Sequence, residues 1–126
     1  VPTGPPDRTI ASRMDEAGAL AVVTMAGTWL GRPRSSALGA ATHDLDSSRL
    51  DVALAHLPPH EVTYQHGWDR CLAAVHSGEA DAAVLLRPAT VEQIAATGRG
   101  GVRMPPKTTF FWPKPRTGMV LRELID

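Results

Sequence analysis

Few of the residue types that most often carry chemistry are abundant in this sequence. There is one cysteine, Cys71, which excludes an internal disulfide and fits a reducing compartment. Lysine occurs twice, at Lys107 and Lys114, and the other eleven basic residues are arginines. Aromatics make up 5%, so the core has to come from small aliphatic side chains. The longest largely apolar run, residues 19–26, is far too short to span a membrane. No basic-then-apolar pattern reads as a signal peptide, so a cytoplasmic location is expected. No G-x-G-x-x-G, G-x-S-x-G or H-E-x-x-H stands in the chain. A nucleotide fingerprint, a serine nucleophile elbow and a zincin motif are therefore absent from the sequence, and no cofactor is specified. The formal net charge of +0 argues against nucleic acid as a partner.

What remains is an ordinary globular composition, with 43% apolar residues. The charge, though balanced, is divided. Residues 35–86 hold two arginines against seven carboxylates, a net of −5, while residues 87–122 hold seven cations against Glu92, a net of +6. Such a division can steer an anionic ligand or match a partner surface.

The opening VPTGPPDR reads as a linker or cut edge over residues 1–8, which leaves 9–126 as one domain. Residues 8–16 carry a weak helical pattern. Residues 19–25 and 28–34 read as a hairpin about Ala26-Gly27, and Pro33 pushes its second strand to a sheet edge. Residues 35–45 show no period and read as loop. Ser48 is a helix cap with Asp51 three residues on, and the apolar spacing Leu50, Ala53, Leu54, Leu57 follows until Pro58-Pro59. Residues 61–65 read as a short strand, 68–77 as a helix, and 82–86 as an inner strand; together they make a βαβ unit. Thr90 and Gln93 form a capping box for a third helix, which Gly98 ends. Residues 108–112 and 118–122 read as a C-terminal β-hairpin. The expected fold class is mixed α/β: a single domain with a four- to six-stranded mixed sheet, the βαβ unit, the C-terminal hairpin and about three helices.

The candidate site grows from LLRPAT, residues 85–90. A strand delivers the chain to Arg87 and a helix begins at Thr90, the arrangement in which open α/β sheets hold anions. Arg103 and Lys107 follow in a glycine-rich loop, and Thr108 and Thr109 beside Lys107 complete the ligand-binding set. The two lysines do not form a simple clamp. They are seven positions apart, so on a strand they point to opposite faces, about 23 Å apart. The histidines make no metal site: His56 and His60 have helical spacing, but Pro58 and Pro59 break the helix between them. Cys71 falls on an apolar helix face and reads as a core residue.

The stretch Met104, Pro105, Pro106, Lys107, Thr108, Thr109, Phe110, Phe111, Trp112, Pro113, Lys114, followed by Thr117-Gly118-Met119-Val120, resembles a signature of the bacterial and archaeal family catalogued as domain of unknown function 1015. Thr108 replaces a serine of that signature, and Phe110 and Trp112 replace tyrosines. Upstream, LDVALAHL and EVTYQHGWDRCLAAVHSGEADAAVLLRP are similar to the family too, so the likeness spans residues 48–122. Members are much longer, and their earlier part carries an Asp-Gly-His-His-Arg sequence similar to ParB-like proteins, among them free-serine kinases. The resemblance implies that this chain is the C-terminal part of a longer protein whose principal catalytic motif lies upstream. The functional expectation is a ligand-binding portion of a cytoplasmic metabolic protein that takes a phosphorylated or carboxylated small molecule for phosphoryl transfer. The alternative is a non-enzymatic interaction domain whose basic tail docks on a missing N-terminal domain or on another copy of itself.

Overall fold

The apolar, β-branched stretch after Ala19 becomes the centre of the sheet, because it alone has partners on both sides. The computed structural model describes residues 6, 7, 9–101, 103 and 104. In chain order its elements are α1 (Ile10–Ala17), β1 (Leu20–Thr24), β2 (Gly27–Gly31), α2 (Ser35–Ala40), α3 (Asp46–Leu54), α4 (Trp68–His76), β3 (Ala82–Leu85) and α5 (Val91–Arg99). The sheet order is β2-β1-β3 and both pairings are antiparallel. Val22 stands opposite Trp29 on one side and Val84 on the other, and Ala21 stands opposite Leu85.

Alternation along β1 sends Ala21 and Val23 to one face, where both are buried. Ile10 and Met14 of α1 pack there with Ala21, joined by Leu30, Trp68 and Leu85. Val75 of α4 clusters with Val23 and Ala83, joined by Cys71 and Leu72. Two helices thus cover one face through small apolar side chains, as the scarcity of aromatics requires. Gly18 ends α1 in a left-handed conformation, φ 56, which glycine adopts without strain. The turn closes with the Ala19 amide donating to the Met14 carbonyl at 2.9 Å, and the chain enters β1 directly.

The mixed α/β class holds, with differences in its parts. Among the described residues there are three strands and five helices, not four to six and about three. The hairpin of residues 19–34 forms, with β2 at the edge. Strand β3 forms as well, antiparallel to β1, but the expected βαβ unit lacks its first strand. Residues 61–65 belong to no strand and are exposed throughout. With three polar residues in five, the segment gains too little from burial to fix itself on the sheet by local preference alone. Residues 35–40 coil into α2 although they lack a clear apolar period and include Gly39; Ala37, Leu38 and Ala40 supply the helix preference. Helix α3 begins at Asp46, two residues before the expected cap, so Ser48 lies inside it and is buried. The C-terminal hairpin lies outside the described residues.

Val75, 1% exposed, is the largest apolar side chain fully enclosed in this core. Val75→Ala is expected to lower stability by about 1.5–3 kcal/mol, read as a lower urea midpoint at unchanged m.

Candidate functional site

Arg87 follows β3 by two residues and comes to rest on the first residue of α3. Its Nε donates to Asp46 Oδ2 at 2.8 Å and its Nη2 donates to Asp46 Oδ1 at 2.6 Å. Its backbone N–H donates to Oδ2 as well, at 3.1 Å. Arg49, one turn along α3, adds an Nη1 bond to Oδ1 at 2.9 Å and also pairs with Asp44. The Asp46 side chain is 3% exposed, against 24% for Arg87. The carboxylate therefore accepts four charge-assisted or backbone bonds in a fork geometry suited to guanidinium.

Burial alone would push the Asp46 carboxyl up. The Arg87 side-chain and backbone bonds, the Arg87 charge and the Arg49 bond outweigh it and hold the group below its usual 3.8. On the other side, the hydrogen bonds to Asp46 raise Arg87 above its usual value against the pull of burial, and the charges of Asp46, Asp15 and Asp44 add to the rise. Both groups are ionised at neutral pH.

Thr90 caps α5 as its spacing to Gln93 suggests. The Gln93 amide donates to Thr90 Oγ1 at 3.2 Å, and the Thr90 amide donates to Gln93 Oε1 at 2.9 Å. The Gln93 Nε2 then reaches the Asp44 carbonyl at 2.6 Å, so one side chain completes the cap and ties α5 to the loop before α3. Beside this tie lies a cleft of about 440 Å³ lined by residues that include His43, Asp44, Glu92, Gln93 and Thr97. Among the described residues its lining holds two carboxylates and no lysine or arginine, the wrong sign for a phosphate.

Of the expected ligand-binding residues, Arg87 and Thr90 are three positions apart; Arg87 donates to Asp46 from its backbone N–H, Nε and Nη2, and Thr90 Oγ1 accepts from the Gln93 amide. Arg103 is exposed. Lys107, Thr108 and Thr109 lie outside the described residues. The residue that sequence reasoning missed is Asp46, which reads as one surface charge among seven. The only local signal is Arg49 three positions on; nothing in the sequence points to Arg87, 41 positions away. Among the described residues no group of three or more His, Cys, Asp and Glu could hold a metal ion, and no helix is long and apolar enough to cross a membrane. Comparison with protein-family models, with curated proteins and with solved structures finds no match to the chain.

Asp46→Asn removes the charge and strands the Arg87 guanidinium, and is expected to cost about 2–3 kcal/mol in chemical denaturation. Acid titration gives a second check. The folded carboxyl is depressed, so its contribution is complete above the unfolded value near 3.8 and is lost as pH falls through the folded one. Between about pH 5 and pH 2, the melting temperature of the parent is expected to fall more steeply than that of Asp46→Asn. Thr90→Ala removes one half of the capping box and is expected to cost about 1 kcal/mol, seen as faster amide exchange in the first turn of α5.

Proposed function

We propose that this chain is a non-enzymatic interaction domain, the C-terminal portion of a longer protein of the family its tail resembles, whose basic tail docks on another domain or subunit. The observation that carries this reading is the engagement of Arg87. With Nε and Nη2 of its guanidinium forked onto Asp46 and Thr90 Oγ1 holding the α5 cap, the two residues best placed for an anion at the end of β3 already bond within the fold. The cleft beside them is acidic in character. The remaining positive charge of residues 87–122 falls on Arg99, Arg103, Lys107, Lys114, Arg116 and Arg122, opposed by Glu92. A run of cations that follows the last described helix suits a partner's carboxylate-rich surface, where many weak contacts steer association and are screened by salt.

A phosphate or carboxylate site built from Arg103, Lys107, Thr108 and Thr109 alone is the competing reading, and one experiment separates the two. Light scattering is recorded on the chain alone and mixed with the upstream part of the longer protein, at low and high salt. The parent is expected to associate at low salt and to dissociate at high salt, and Lys107→Glu with Lys114→Glu and Arg116→Glu to remain alone. A parent that stays monomeric under every condition, with saturable amide shifts at Arg103 on addition of inorganic phosphate, overturns the docking reading in favour of the anion site.

A further inference from the structure

Among the described residues one sheet edge has no strand on it, and one strand-like segment has no sheet. Among the described residues, β3 pairs with β1 on one side only, and its four residues, Ala82–Leu85, carry no charge and no proline to guard the other. Residues 61–65, EVTYQ, alternate so that Val62 and Tyr64 share one face and Glu61, Thr63 and Gln65 the other. Both apolar groups stand in water, 42% and 48% exposed.

The path of α4 connects the two. Trp68, at its start, packs on the Ala21 cluster that Leu85 also joins, whereas Val75, near its end, clusters with Val23 and Ala83. Since Ala21 faces Leu85 and Val23 faces Ala83, α4 runs antiparallel to β3. Its first residue therefore lies at the end of the sheet where β3 finishes, which is where a strand parallel to β3 would have to finish too. His66 and Gly67 alone separate Gln65 from Trp68, and Gly67 sits at φ +91, a conformation that other residues rarely adopt.

We propose that residues 61–65 are a strap that closes onto the outer edge of β3 as a fourth, parallel strand, turning on Gly67. Closure completes a strand–α4–strand crossover. It places Val62 and Tyr64 beneath α4 beside Cys71 and Leu72, leaves the three polar residues on the opposite face, and pairs the bare β3 edge. The segment has one residue more than the four of β3, and the register that sets Val62 beside Ala83 and Tyr64 beside Leu85 is the one that puts both on the α4 face. The strap also sets when the edge is available: open, β3 presents unpaired backbone groups; closed, it does not. This device is independent of the tail and of the docking reading.

Amide exchange followed by NMR on the dilute, monomeric chain tests it. The closed strap is expected to slow exchange at alternate amides of residues 61–65 by about tenfold or more over unprotected rates. Cross-strand proton contacts to Ala82–Leu85 are expected alongside. Neighbouring amides of a strand point to opposite sides, so proline at either Thr63 or Tyr64 strikes the ladder. One of Thr63→Pro and Tyr64→Pro is expected to abolish the protection and the other to spare it. Unprotected rates throughout 61–65 in the parent overturn the proposal. So does protection that appears only as concentration rises, which would assign the edge to a second copy, or cross-strand contacts to β3 from any other segment.

Discussion

Asp46 is the point on which the end of the sheet depends. Placing a carboxylate at 3% exposure is unfavourable in isolation, and its attraction to a single cation rarely compensates for the lost hydration. Here the compensation comes from saturation: two bonds from the Arg87 side chain, one from its backbone and one from Arg49 occupy the lone pairs of both oxygens. Such a site tolerates no half measures, because a carboxylate short of any one donor is a buried unsatisfied charge. The gain is placement. The backbone bond to Arg87 holds the end of β3 against the first turn of α3, and the acidic residue at that helix start also sits well with the helix dipole.

Two further features lean on the same joint. A Cβ at Gly18 would lie 3.9 Å from Arg87 Nη1, ordinary contact distance, so the end of α1 packs beside the joint. Gln93 carries the joint onward to α5 through the Asp44 carbonyl. One end of the sheet therefore gathers α1, α3, β3 and α5, although the hydrophobic clusters involve only α1 and α4 among the helices. Apolar packing secures one face and polar saturation secures the end.

This division explains what the sequence could disclose. Periodicity reports apolar packing, so β1, β3 and α4 were legible, and so was the α5 cap, whose partners lie three residues apart. The fork was not, because a buried aspartate and an exposed one look alike when the partner is 41 positions off. The same blindness made Arg87 look available for an anion. Residues 61–65 fail in the opposite way: their alternation is genuine, but alternation shows what a segment could bury and not whether an edge has received it. Helix α2 escaped for a third reason: of its six residues only Ala37, Leu38 and Ala40 favour a helix, too few to show a period.

The fork also bears on how the charge of the whole chain is arranged. Asp46 belongs to the acidic middle and Arg87 opens the basic end, so their pairing neutralises the one place where the two regions are in contact at the sheet end. Asp44 on Arg49 extends that neutral seam. The sequence carries further charge on either side of that seam, the carboxylates of residues 51–81 and the cations from Arg99 onward. On the docking reading we propose, such a division of charge would steer an oriented encounter with a partner and would not need a closed ligand site.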